Sequence, residues 1–280
     1  MRLLIPTLLI VLSACGKPPA NPLAHCNTGL CGDGPLYGVA TMQLAASDGK
    51  GHSAGFHLAG ADTGACPSSG FTNAATSTPV DNQVANVLPV LESYVGSALP
   101  TYIQTAVNDG GLFIVYEIVG DPTTDKTVDV VIHQGKGTPI LGTDGYLLAN
   151  QTVEVENTAP LGVCTGATVK NGVLSCGPFS LLTHVGVFQN VYALTFLETQ
   201  MTMTLPTDGS DSQVVMGGAV TVENIQAIAA EAGGAAGDLQ PVVQNVVPSL
   251  ADVLDPVNHT CDRISGVLSI TARSIFATTQ

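Results

Sequence analysis

Leu112-Phe113-Ile114-Val115-Tyr116-Glu117-Ile118-Val119 is apolar on both alternations, with Glu117 the single exception. A half-buried strand shows one wet face; a run that is dry on both must be covered twice, which places it centrally in a sheet. Upstream, Asp81 stands where a helix N-cap belongs. Val84, Val87, Leu88, Leu91, Tyr94, Val95, Ala98, Tyr102 and Ala106 then follow at spacings of three and four, one stripe of a helix. Pro89 predicts a kink and Gly96–Pro100 a break before Asn108-Asp109-Gly110-Gly111 stops the segment, because proline lacks the interior N–H and clashes with the preceding turn. Farther back, Ala40, Met42 and Leu44 share one face of a strand. Ala54, Phe56 and Leu58 repeat the alternation, a hairpin across Ser47–Gly51.

Downstream of the central run, Val128, Val130 and Ile132 alternate against Thr127, Asp129 and His133, a strand with one wet face. Val153 and Val155 mark a short strand, and Asn171-Gly172 is a hairpin turn signal. Phe179 to Leu205 is strand-like almost throughout. Its apolar parity changes between Leu194/Phe196 and Met201/Met203/Leu205, so a bulge is expected near Glu198–Gln200. Val220 to Ala232 reads as helix, ended by Gly233-Gly234, and Asp238 caps a second helix running to Leu254. Ile264, Leu268, Ile270, Ala272 and Phe276 then alternate against Ser265, Ser269, Thr271 and Arg273 in a closing strand. The expected fold is α+β: a large, mostly antiparallel sheet with two Pro-interrupted helical segments, 81–109 and 221–254, packed on it. One domain spans 37–280.

The 280 residues carry a net charge of -14 with only eight Lys and Arg, scattered singly. Binding nucleic acid requires clustered cations, so that class is excluded. Hydrophobic residues make up 45% of the chain, enough for a full core. Six cysteines, Cys26, Cys31, Cys66, Cys164, Cys176 and Cys261, follow Cys15. No CxxC occurs and no histidine stands at zinc-finger spacing, so they read as disulfides rather than a metal site. Cys26–Cys31 and Cys164–Cys176 are close enough for local pairs, leaving Cys66–Cys261 to tie the start of the domain to its end. An ideal turn at Asn171-Gly172 does not place Cys164 opposite Cys176, so that pair requires a bulge or a longer loop.

Met1 to Cys15 has one positive residue, Arg2, then an apolar run from Leu3 to Leu12, then small residues. The run is too short for a membrane span and has the layout of a secretory signal. Leu12-Ser13-Ala14-Cys15 resembles the lipobox of bacterial lipoproteins. The resemblance implies cleavage of residues 1–14, acyl chains on Cys15, and, with Gly16 rather than Asp after it, sorting to the outer membrane. Residues 15–36, rich in Pro, Gly and Asn, read as a lipid-anchored tether pinched by Cys26 and Cys31.

No Gly-x-Ser-x-Gly elbow, His-Glu-x-x-His, phosphate loop or dinucleotide fingerprint is present, and no cofactor is expected. His25, His52, His57, His133, His184 and His259 are dispersed; His57 and His133 fall on polar strand faces and are expected at the surface. Asp208-Gly209-Ser210-Asp211 and Asp121-Pro122-Thr123-Thr124-Asp125 are oxygen-rich loops without the twelve-residue calcium pattern. Val80-Asp81-Asn82-Gln83 and Cys261-Asp262-Arg263-Ile264-Ser265 give the body a loose resemblance to uncharacterised outer-membrane lipoproteins of myxobacterial type, a group that brings no activity with it. The sequence therefore reads as a non-enzymatic envelope lipoprotein, structural or partner-binding. The alternative is a carrier or sensor of an apolar ligand held between sheet and helices, with Tyr94, Tyr102, Phe113 and Tyr116 as candidate pocket residues. A hydrolase built from the scattered His and Asp is the third reading.

Overall fold

The computed structural model describes residues 29–32, 34–58, 65–95, 98–122, 127–187, 190–232 and 240–279. The first strands are β1 (Leu36–Leu44), β2 (Phe71–Thr72), β3 (Pro79–Val80), β4 (Ile114–Val119), β5 (Thr127–Lys136) and β6 (Thr152–Val155). They are followed by β7 (Gly162–Lys170), β8 (Val173–Val187), β9 (Asn190–Thr204), β10 (Ser212–Thr221), β11 (Val253–Leu254) and β12 (Cys261–Thr279).

Along β4 the even residues Ile114, Tyr116 and Ile118 enter one buried cluster, while Val115 and the preceding Phe113 enter another. The strand is covered on both faces, as its composition demands. The even face looks into a closed ring. β1 pairs with β4, β4 with β5, β5 with β7, β7 with β8, β8 with β9, β9 with β10, β10 with β12, and β12 returns to β1, every pair antiparallel. The mostly antiparallel sheet is therefore present, but it closes into an eight-stranded barrel instead of lying open beneath the helices. Closure gives every ring strand two neighbours and removes the exposed edges an open sheet would carry.

Period-two alternation fills the interior. Val128, Val130 and Ile132 of β5, Met201 and Met203 of β9, Val214 and Met216 of β10, and Ile270 and Ala272 of β12 share the cluster with Ile114 and Tyr116. A barrel of eight strands is about wide enough for side chains to occupy it. The second cluster, Ala40, Phe113, Val115, Leu147, Val153, Val155 and Ile275, coats the outside of β1, β4 and β12. β6 belongs to this layer: it runs parallel to the last residues of β12 and antiparallel to the end of β5.

The helices are α1 (Gln83–Val95), α2 (Leu99–Asn108), α3 (Val222–Ala232) and α4 (Gln240–Asn245). Pro89 lies inside α1, and Pro100 is in the first turn of α2, where a missing N–H costs nothing. Ile103, Ala106 and Val107 of α2 extend the interior cluster, so this helix stoppers the end of the barrel formed by Met42 and Leu112. The predicted helix to Leu254 stops earlier. Val247–Leu250 is a 3₁₀ turn containing Pro248, after which Asp252 and Val253 are buried in extended backbone against β12. Asp238, its expected cap, lies outside the described residues.

Several local expectations change with closure. The hairpin across Ser47–Gly51 shrinks to the isolated bridge of Ser47 to Ser53: β1 pairs through Leu44 with Leu268 of β12, and Phe56 bridges Asp81 instead of β1. A bulge between Val39 and Thr41 sends Val39 and Met42 inward and Ala40 outward, so Ala40 and Met42 do not share a face. At the end of β12, Ile275 is buried and Phe276 exposed, the reverse of expectation, since β12 there has left the ring and its outward face is the covered one. The face of β5 expected to be wet is so only at its start, where Thr127 is exposed and Asp129 half-buried; farther along, Val131 and His133 are buried.

Two expected disulfides are present, Cys66–Cys261 and Cys164–Cys176, with Cα atoms 5.7 and 6.2 Å apart. The bulges that the second requires are there. Gly166 takes a left-handed conformation in β7, its N–H donated to Asp129 Oδ1 at 2.7 Å, and β8 shifts register between Cys176 and Phe179. Cys31 is also disulfide-bonded. Cys26 and Cys15 lie outside the described residues.

Candidate functional site

The outward face of β12 begins with Arg263 and Ser265, and both are buried. Ser265 donates its hydroxyl to Asp252 Oδ2 and its N–H to Asp252 Oδ1 at 2.8 Å. The same hydroxyl accepts the Gln83 N–H at 2.8 Å, so a side chain from β12 serves the first turn of α1. Asp81 Oδ2 accepts the Leu58 N–H at 2.8 Å, with His57 Nδ1 3.5 Å away. Asn82 donates to Ala45 O and Ser53 Oγ at 2.9 and 2.7 Å, and its buried Oδ1 has no partner among the described residues. Burial pushes the Asp252 carboxyl up to about 6 against the pull of its Ser265 bonds, and the nearby Asp81 charge adds to the rise. The segments 80–83 and 261–265 thus meet in one polar knot, which fastens α1 and β11 to the barrel wall. Ser265 is fully buried and committed on both sides, so it offers no accessible nucleophile.

Beside it, Arg263 reaches Glu198 Oε1 at 3.3 Å and Asp255 Oδ2 at 3.2 Å. Glu198 occupies the β9 bulge at φ +52°, where the parity change placed it, and the register with β10 slips between Gly217 and Ala219. Burial raises the Glu198 carboxyl, an effect that Arg263 opposes and Asp255 reinforces.

On the opposite wall, Glu117 and His133 project outward from β4 and β5. The carboxylate accepts the Cys31 N–H on both oxygens at 2.9 Å, the Gly32 N–H at 2.6 Å and His133 Nε2 at 2.8 Å. His133 is therefore no surface residue; it is 2% exposed. Cys31, Glu117 and His133 place three donor atoms within 4.8 Å of one another, the spacing of a metal centre. The Cys31 sulfur is held in a disulfide, and Glu117 is occupied by backbone amides, so the group works as a clamp on residues 31–32. The sequence carried a partial signal for it, in the only polar residue of an otherwise apolar strand.

A groove of about 530 Å³ lies between α2 and β1, lined by Thr41, Met42, Gln43, Thr101, Gln104 and Tyr146 among others. Gln104 is fixed there by bonds to Ala40 O and Asn108 Oδ1. The predicted pocket residues do not converge. Tyr102 is 62% exposed, Phe113 lies in the outer layer, and Tyr116 lies inside the barrel, on the other face of β4. The Tyr116 hydroxyl is buried without a partner among the described residues, and burial pushes its pKa above the usual phenol range. The Tyr94 side chain lies outside the described residues. Of the other histidines, His52 pairs with Asp48 at 2.7 Å, and His25 lies outside the described residues. In the Asp208–Asp211 loop, Asp208 caps Ser210 N–H and Asp211 pairs with Arg273 at 3.1 Å. Among the described residues no helix is long and apolar enough to cross a membrane. Comparison with family models, curated proteins and solved structures finds no match to this chain.

Proposed function

We propose that this chain is a cell-envelope lipoprotein, cleaved before Cys15, acylated there, held at the outer membrane, and acting as a non-enzymatic structural or partner-binding module. The observation that carries the reading is Leu12-Ser13-Ala14-Cys15 behind a short apolar run with a single leading Arg2. Two disulfides fit an oxidising compartment. Thr165, Thr168, Lys170 and Ser175 on the outside of β7 and β8 are exposed and polar, which suits a barrel wall in water with lipid as its attachment. The pairing of Cys31 with Cys26 and a tether from Cys15 belong to the same proposal, with the tether ending near Gly29, because residues 31–32 are clamped to the barrel. Labelled palmitate should enter the wild-type protein and fail to enter Cys15→Ser; equal labelling of both would remove the reading.

The second reading, a carrier or sensor of a ligand held between sheet and helices, is favoured by the groove between α2 and β1. Its hydroxyl and amide lining suits a more polar ligand than an apolar one, and the barrel interior is occupied by side chains. Native mass spectrometry of protein taken from membranes separates the two: a bound small molecule supports carriage, and an empty protein supports the structural module.

A further inference from the structure

Residues 139–149 form a hairpin on the outer layer. Leu141 bridges Leu147, the Gly142 N–H is donated to Tyr146 O at 2.7 Å, and the Leu148 N–H to Ile140 O at 2.9 Å. Leu147 is buried against the barrel wall. Strand alternation then sends Ile140, Tyr146 and Leu148 to the opposite face, where they are 63%, 37% and 43% exposed. The hairpin is rigidly mounted. Gln151 accepts the Ile140 N–H at 2.9 Å and donates to Ile140 O and Leu148 O at 2.8 and 2.9 Å. The Gln151 main-chain carbonyl accepts the Phe276 N–H at 2.9 Å, and Phe276 is 60% exposed. Four large apolar side chains are thus presented to solvent on backbone anchored at Gln151, the kind of grouping that marks an interaction surface.

Its location identifies the partner. Gly29 lies against Thr279, and residues 31–32 are clamped by Glu117. On the β6–β12 ladder Thr152 faces Phe276 and Val155 faces Thr279, so the exit of the N-terminal segment and the patch are about 10 Å apart along the strand. From Cys15 to Gly29 the chain reaches at most about 50 Å, too long to orient the barrel by itself. The net charge of -14 gives no attraction to an anionic lipid surface, and Phe, Tyr, Leu and Ile are the side chains that settle at a bilayer interface. We infer that the 139–149 hairpin and Phe276 form a foot that rests in the interface of the membrane carrying the Cys15 lipid. The inference rests on the lipoprotein reading.

The chain has no tryptophan, so Phe276→Trp introduces a single clean probe at an exposed position. Val173, 38% exposed, serves as the control. It sits at the far end of the barrel, because the β7–β8 turn lies beside the start of β5 whereas β6 meets Gly135–Lys136. The full-length acylated variants are placed in phosphatidylethanolamine–phosphatidylglycerol vesicles with brominated acyl chains, and the acyl mass is measured on the same samples. The foot predicts at least twofold quenching and a blue shift for Trp at 276, no quenching at 173, and loss of the quenching when Ile140→Asn and Leu148→Asn are added. Acylated protein whose 276 probe is unquenched overturns the foot alone, whether the patch is in water or buried against a second copy. Protein without the acyl mass removes the lipoprotein reading and the foot with it.

Discussion

A carboxylate with no exposed surface needs donors, and Glu117 has them from Cys31, Gly32 and His133. Glu117→Ala leaves these groups buried and unpaired, and should cost about 3–5 kcal/mol in urea unfolding, with faster amide exchange at Cys31 and Gly32. Glu117→Gln keeps one acceptor but turns an NH₂ toward donors, so its cost should fall between wild type and Ala. A solitary Glu in an apolar strand was readable as an oddity; that His133 answers it was not, because the diagonal between β4 and β5 appears only once the register is known. Asp252 carries a pH dependence of definite sign. Its folded carboxyl holds its proton to about 6, whereas an unfolded one releases it near 4. Its contribution is fully present below the unfolded value and is lost as pH rises through 6, about 3 kcal/mol in all. Asp252→Asn imitates the protonated form. Urea titrations at pH 4.5 and 7.5 should therefore show the stability of wild type relative to this variant falling by up to that amount; a constant gap would contradict it.

At the level of elements, the Asn-Gly signal between β7 and β8 is realised as a two-residue turn, with Asn171 and Gly172 at φ +52° and +73° and Lys170 opposite Val173. A Cβ on Gly172 would meet only Leu205 O at 3.8 Å, an ordinary contact. Gly172→Ala should thus cost about 1 kcal/mol, all of it conformational, measured by thermal unfolding. Turns, parity changes and the two disulfide pairs were legible because each is written within a few residues or by elimination among a few cysteines. The Glu198 bulge is the clearest case: Leu194 and Phe196 disagree in parity with Met201 and Met203, and only an inserted residue reconciles them. What stayed illegible was adjacency. Alternation says that Met42 and Ile270 each face a core; it does not say that they face each other across the β1–β12 seam. The same gap hid Ser265, whose service to α1 depends on two segments 182 residues apart.

For the molecule as a whole, the seam between the first and last ring strands means that closure is the most nonlocal event in folding. Of the two disulfides with both cysteines among the described residues, Cys66–Cys261 is the long-range one, spanning a sequence separation of 195. Cys66 precedes α1 and Cys261 opens β12, so the bond holds together the two segments whose polar knot attaches the helix. In the chain-entropy model a loop of that size is worth roughly 5 kcal/mol, acting on the unfolded chain rather than on the barrel. The double variant Cys66→Ala/Cys261→Ala should therefore keep the native circular-dichroism spectrum, since the ring pairings do not pass through either residue. Its unfolding free energy should fall by about 3–5 kcal/mol. The dependence on urea should also steepen, because an uncrosslinked unfolded chain exposes more surface. These two changes together separate a constraint on the unfolded chain from a lost contact in the folded one: a contact would lower stability at unchanged slope. An unchanged slope with a small loss would place the bond's effect in the native packing around Ala65 and Cys261, not in the entropy of the open chain.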